Sequence, residues 1–354
     1  MTPTMNNHAT TPKGVCFLGA GASVWAGAPT FSNFRRRTEE VYNKLPDISP
    51  EKEIFKRVLK HWEDDYNTSN IEEYYAAIEM LETLKFNSIK TDSDCITADN
   101  IVYVICTTIQ KSIANYRKQN FYNHLTVILE DEIPDFIFIT TNWDILLEST
   151  MDFRDGWVNY GGIPAYDNPS GQTEPNREYS ILKLHGSLNW GFCKECGKIY
   201  YTDKTKCDIL TSYEGLRCGK CQTKLEPAII PPTSSKLAKA GANSKYAPLL
   251  PIWRSAFEHL KLCEKIYFIG YSLPETDIET KIFISNALKE NSNLKEVVII
   301  SDQKYGYSRV DFEERYHSII SRIISNPKVK FIDEGFEEFC QKHPAIHRRS
   351  LSHL

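Results

Sequence analysis

Two polar residues in this chain stand where catalysis is commonly done. His185 lies in Leu184-His185-Gly186-Ser187, directly after the short apolar run Ile181-Leu182-Lys183-Leu184. Asn142 lies in Thr140-Thr141-Asn142-Trp143-Asp144, directly after Asp135-Phe136-Ile137-Phe138-Ile139. An imidazole titrates near neutrality and serves as a general base, and a side-chain amide orients a water or a hydroxyl. A lone histidine is most often a satisfied structural residue. Thr or Asn after a strand also serves as a helix N-cap, with Asp144 as a first-turn acid favoured by the helix dipole. Both residues nevertheless follow short buried strands, the end of an open α/β sheet at which ligands bind. The five polar-capable positions of TTNWD exceed what one cap requires.

The third chemical feature is a glycine turn. Val15-Cys16-Phe17-Leu18 is apolar without alternation, as in a strand buried on both faces of a parallel sheet. It runs into Gly19-Ala20-Gly21-Ala22-Ser23. Glycine allows a tight turn and close approach of backbone N–H groups to an anion, typically a dinucleotide pyrophosphate. Of the G-x-G-x-x-G fingerprint, Gly19 and Gly21 fit, and Val24 occupies the third glycine position. An ordinary strand-to-helix turn gives the same pattern. No G-x-x-x-x-G-K-[ST] occurs, which argues against a P-loop nucleotidase.

The fourth is a metal signal. Cys193-x-x-Cys196 and Cys218-x-x-Cys221 are separated by 21 residues, and Gly197 and Gly219 sit beside the two pairs as expected for tight knuckles. Four thiolates close a tetrahedral Zn2+ without an open position, so the expected role is structural. Cys207 lies between the pairs as a spare thiol or alternative ligand.

The 354 residues are 41% hydrophobic and 25% charged, the balance of a soluble globular chain. A net charge of −4 gives no electrostatic case for direct nucleic-acid binding. No apolar run approaches the ~18 residues of a membrane span. The ten cysteines, four of them tightly paired, indicate a reducing cytoplasm with a metal site rather than a disulfide framework. Residues 1–13 are polar, lack a secretory apolar region and read as a loose leader.

The elements that must position these groups alternate. Helices are expected at 33–44, 51–63, 70–88 and 99–118, the second of these stretches to the fourth falling in a glycine-free block, 51–131, inserted after the first strand–helix unit. Ile71, Tyr74, Tyr75, Ile78, Leu81 and Leu84 make one apolar helix face there, read as core. Strands are expected at 135–139, 181–184, 265–269, 297–300 and 329–332, and helices from 145 and at 251–263, 277–289, 310–325 and 335–342. Residues 154–179 read as a loop and 227–232 as an extended return. The sum is an α/β fold: a doubly wound parallel (Rossmann-like) sheet with an inserted helical block and a small zinc-binding module. It forms a single domain over 14–342, with the sheet part in 14–50, 132–192 and 227–342, the module at 193–226 and a polar tail at 343–354. One ligand rim then collects Gly21, Asn142, His185, Ser272 and Asp302.

In that order along the chain, GAGAS, TTNWD, LHGS, two CxxC pairs and GYS resemble the sirtuin family over roughly residues 13–302. The resemblance implies an NAD+-consuming enzyme. It implies that Gly19, Ala20, Gly21, Ala22 and Ser23 cradle the pyrophosphate and that Phe31 is the aromatic of a flexible cofactor loop. By the same comparison Asn142 orients the ribose or the attacking water, Thr141 belongs to the same cofactor-contacting motif, and Asp144 holds the carboxamide. His185 matches the catalytic histidine, a base for the ribose hydroxyls, Gly270 and Ser272 match the pair near the adenosine side, and Asp302 meets the adenosine ribose.

Departures refine the expectation. The Asp and Arg of the deacylases' GIPDFR are missing from Gly27-Ala28-Pro29-Thr30-Phe31-Ser32, Trp143 replaces an Ile, and GYSLPETD replaces the peptide-pairing edge, where Pro274 removes a donor. The chain looks most like bacterial sirtuin-like NAD+ hydrolases of anti-phage defence. That likeness implies NAD+ depletion, a homo-oligomer and a regulatory protein partner. The zinc pairs point instead to the deacylases, so a lysine deacylase or ADP-ribosyltransferase stands as the alternative, and an NAD or ADP-ribose sensor as a further one.

Overall fold

The computed structural model describes residues 13–66, 68, 70–84, 96–113, 121–133, 135–152, 156–164, 177–202, 216–231, 247–302 and 309–343. The leader up to residue 12, the tail from 344 and Cys207 lie outside the described residues.

The apolar run at the start of the chain becomes β1 (Gly14–Leu18), buried at all five positions. It pairs in parallel over five residues with β2 (Phe136–Thr140) on one side and β8 (Lys265–Ile269) on the other. β4 (Arg177–Lys183) and the edge strand β3 (Gly156–Asn159) continue beyond β2, while β9 (Glu296–Ile300) and β10 (Lys328–Ile332) continue beyond β8. All pairings of this seven-stranded sheet are parallel, in the order β10-β9-β8-β1-β2-β4-β3. The chain leaves β1 toward β2 and later returns to the opposite side of β1 through β8. The carboxyl ends of β1 and β8 therefore form the topological switch point, where a doubly wound sheet opens a crevice.

Residues 154–179 are not all loop. β3 and the start of β4 fall within them. Gly-Trp-Val-Asn is too short to show a strand period, and as an edge strand it has one neighbour only.

Helices α1 (Phe34–Lys44), α2 (Pro50–Asp65), α3 (Ile71–Thr83) and α4 (Ala98–Ile113) build a second core, which also takes in Trp143, Ile145, Leu188 and Ile229. Local signals set their starts: Ser49 Oγ accepts from Lys52 N before Pro50 opens α2, and Asn70 Oδ1 accepts from Glu72 N at the head of α3. Ile71, Tyr74, Tyr75 and Ile78 are buried, with Trp62 stacked on Tyr74 at 5.2 Å, Leu81 packed alongside and Leu84 exposed at the helix end. The helical stretch does not pack as one unit to residue 131. α5 (Phe121–Glu132) buries Phe121, Tyr122, Leu125 and Leu129 in the sheet core instead. α6 (Leu146–Asp152), α7 (Leu250–Leu262), α8 (Ile278–Lys289), α9 (Arg309–Ile320) and α10 (Phe336–Lys342) complete the helices named here.

A separate antiparallel sheet, β6 (Lys198–Tyr201), β5 (Gly186–Cys193) and β7 (Glu226–Ile229), starts immediately after His185. It carries the first CxxC pair at the end of β5. Among the described residues no helix is long and apolar enough to cross a membrane.

Candidate active site

Three glycines meet at the switch point. Gly21 N donates to Gly270 O at 2.9 Å, and Gly19 N to Ile269 O at 3.0 Å. A Cβ on Gly19 would lie 2.6 Å from Gly270 O, one on Gly21 2.8 Å from Gly270 Cα, and one on Gly270 2.2 Å from Ala22 N. Gly270 also holds φ 62°. The turn after β1 and the turn after β8 thus interlock through main chain, which is why both are glycine. Behind Gly19 comes a seven-residue 3-10 turn, Ala20–Ala26, rather than an α-helix.

Above this floor lies a cleft of about 1080 Å³. Its walls include Ala20, Gly21, Ser23, Phe31, Thr141, Asn142, Asp144, His185, Gly270, Ser272 and Asp302. Of the residues singled out from the sequence for ligand binding or catalysis, only Gly19 and Ala22 lie beneath its surface; Ala22 is fully buried. Phe31 sits on a short 3-10 turn whose Thr30 forms a reciprocal cap with Asn33. Asp302 lies two residues beyond β9 and packs against Gly335 at the head of α10.

Asn142 is fixed by its backbone and its amide. Its N donates to Thr140 Oγ1 at 3.0 Å, and its Nδ2 donates to Gly19 O at 2.9 Å and Ser23 Oγ at 3.2 Å. Gly19 O can only accept, so the nitrogen of the amide must face it. Both Nδ2 hydrogens are then committed, and the remaining function of the side chain is its carbonyl oxygen. Ser23 Oγ bonds Tyr122 Oη at 2.9 Å. Burial, then the nearby Asp144 charge, push that phenol well above its ordinary value, so it stays protonated.

Asp144 does what its position as a cap suggests, since its Oδ1 accepts from Leu146 N at 3.1 Å. It also lines the cleft. Beneath it the fully buried Lys183 Nζ donates to Asp144 O at 2.5 Å and to Glu148 Oε1 at 2.6 Å.

His185 is 2% exposed. Gly186, at φ 82°, makes the turn after it; a Cβ there would meet Ala228 O at 1.8 Å. His185 O accepts from Trp143 Nε1 at 3.0 Å and from Ile230 N at 2.9 Å. Its ring stacks toward Trp253, whose Nε1 donates to Leu184 O. Nε2 lies 3.3 Å from Thr280 Oγ1 and 3.8 Å from Asp277 Oδ1. Asp277 and Thr280 are site residues that sequence reasoning missed. The signal was present, because Asp277 closes the GYSLPETD segment.

The four cysteines come together. Sγ separations are 3.4 Å for Cys193–Cys221, 3.8 Å for Cys196–Cys218 and 3.5 Å for Cys196–Cys221, and all four sulfurs lie within 4.8 Å of one another. A tetrahedral zinc with ~2.3 Å bonds needs sulfurs about 3.8 Å apart, so the set fits Zn2+ with no open position. Burial opposes ionisation of Cys218, yet the N–H groups of Cys221 and Lys220 outweigh it and hold the thiol at about 6. The knuckles differ from expectation. Gly197 takes the left-handed turn in the first at φ 62°, but in the second Gln222 does so at φ 60°, and Gly219 has open space where a Cβ would sit.

No family model matches the chain, and no curated protein matches it. A solved structure of Sir2Tm bound to a propionylated peptide is similar over 93% of this chain and 91% of that one, with 16% identity and a TM-score of 0.40.

Proposed function

We propose that the chain is an NAD+ glycohydrolase, cleaving the nicotinamide–ribose bond with water to give nicotinamide and ADP-ribose. The carrying observation is that Asn142 and His185 line one cleft over the interlocked glycine floor. A cleft of that volume, at a switch point, suits an extended dinucleotide. Gly21 and Gly270 leave no side chain in the way of the pyrophosphate, their own N–H groups being taken by Gly270 O and Ile300 O, and Asp302 offers a carboxylate for a ribose hydroxyl. Nicotinamide is cationic in NAD+ and leaves neutral, so no general acid is needed. The ribose passes through an oxocarbenium-like centre, as in glycoside cleavage. The Asn142 carbonyl orients the water and His185 accepts its proton.

Water is favoured over acyl-lysine as acceptor by the GYSLPETD segment. Residues 271–274 are in no strand, Leu273 is left-handed at φ 50°, and Pro274 has no N–H. At residues 271–274 a peptide would find no extended edge to pair with. The cysteine cluster favours the second reading, a lysine deacylase or ADP-ribosyltransferase, because the resemblance associates it with the deacylases. The resemblance to anti-phage NAD+ hydrolases extends the first reading to NAD+ depletion in the cytoplasm, by a homo-oligomer under a regulatory partner.

The test is incubation of purified protein with NAD+, alone and with an acetyl-lysine peptide. ADP-ribose made without peptide, and lost in Asn142→Ala and His185→Ala, is expected. O-acetyl-ADP-ribose formed only with peptide refutes the hydrolase.

A further inference from the structure

We infer that Asp277, acting through Thr280, fixes the tautomer of His185 and stabilises the imidazolium that forms during turnover, as a positioning residue. The inference rests on the hydrolase reading for its catalytic meaning, but its structural half is independent of it.

Asp277 stands at the N-cap of α8, where an aspartate ordinarily accepts from the first turn. Its side chain makes no cap hydrogen bond. The carboxylate is 2% exposed and turned the other way. Oδ1 accepts from Thr280 Oγ1 at 2.7 Å, and Oδ2 accepts from Tyr271 Oη at 3.0 Å. A buried carboxylate given up as a cap needs another reason to be charged there.

The hydrogen count supplies it. The Thr280 hydroxyl has one hydrogen, and Asp277 takes it. What Thr280 presents to His185 Nε2 at 3.3 Å is therefore an oxygen lone pair, so Nε2 carries the proton. Asp277 Oδ1 lies 3.8 Å from the same nitrogen and puts a carboxylate beside it. In the reaction a water O–H bond breaks, its oxygen joins the ribose carbon, the C–N electron pair leaves with nicotinamide and the proton goes to the imidazole. The ring becomes a cation next to Asp277, which holds it by charge.

The other charged and titratable groups on the elements around His185 include Tyr271, which is held protonated by burial and then by Asp277, Asp144 after β2, the Lys183–Glu148 pair, Glu279 and Lys281 on α8, and Arg254, Glu258 and His259 on α7.

The experiment is side-chain nitrogen NMR of 15N-histidine-labelled full-length protein, with His185 assigned by His185→Gln, together with the pH profile of nicotinamide release. The wild type is expected to show the Nε2–H form. In Asp277→Asn the His185 midpoint is expected to fall by about one pH unit or more. The acid limb of kcat moves with it, and kcat drops about 100-fold with KM within twofold. Thr280→Val moves the midpoint the same way by less and serves if Asp277→Asn fails to fold; Asp277→Glu restores part of the rate. An unchanged midpoint in both Asp277→Asn and Thr280→Val, or an Nδ1–H wild type, overturns the inference. A shifted midpoint in a protein that never releases nicotinamide upholds the pairing and removes the hydrolase reading.

Discussion

Replacing Lys183 with methionine should damage the fold in a pH-dependent way. Lys183 and Glu148 are each 1% exposed and 2.6 Å apart. Removing one partner of such a pair leaves a bare buried charge and costs about 3–5 kcal/mol. At about 2 °C per kcal/mol for a chain of this size, the melting temperature should fall by roughly 6–10 °C. The pH sign follows from Glu148. Burial raises its carboxyl above the ordinary 4.5, although the Lys183 charge opposes the rise. Such a group binds a proton more readily in the native chain than in the unfolded one. Its contribution is fully present below 4.5 and is lost as pH rises through the raised value. In Lys183→Met the opposing charge is gone and the rise is larger. The deficit should therefore be small near pH 5.5, where Glu148 can hold a proton, and full at pH 8. Lys183→Met with Glu148→Leu should recover most of the loss, because neither charge is then stranded. Thermal unfolding followed by circular dichroism at both pH values reads all of this. A single variant within 2 °C of wild type at pH 8, or a deficit that grows toward pH 5.5, would refute the reasoning.

Other outcomes follow from the turns and the cysteines. Gly270→Ala places a Cβ 2.2 Å from Ala22 N at a left-handed position, so loss of soluble folded protein, or of ligand binding by calorimetry if it folds, is expected. In the second knuckle Gly219→Ala should leave the melting temperature unchanged, whereas Gln222→Gly should raise stability by about 1 kcal/mol, since glycine carries no left-handed strain. Metal analysis should find one zinc per chain, and chelation or Cys196→Ser should lower the melting temperature.

The sheet was legible where burial is two-sided. β8 spans the five residues that its apolar run marks, because a strand covered on both faces has no reason to alternate. β5 was not legible, though all eight of its positions are buried. It buries Ser187 and Asn189, whose side chains satisfy each other at 2.7 Å, and hydropathy cannot see a polar group that has found its partner. Most of the cleft residues could be named from sequence because they follow strands, and strand ends in a parallel sheet converge; Phe31, on its own short turn, came from the resemblance alone. Asp277 was passed over, although it closes the GYSLPETD segment, because it begins a helix and reads as a cap. Only the coordinates show its carboxylate turned toward His185. The second knuckle misled for a related reason: a glycine beside a cysteine marks a turn in general, but the backbone put the left-handed residue three positions later, at Gln222.

The floor made by the turns after β1 and β8 has a consequence for anyone who would block this cleft. A compound resting on Gly21 and Gly270 touches peptide groups, and a point mutation can alter a side chain but cannot delete a peptide. Each glycine is also barred from acquiring a side chain by the other loop. Resistance would have to arise in the walls, at positions such as Phe31, Ser272 or Asp302. An inhibitor that draws its affinity from the floor leaves little room for escape.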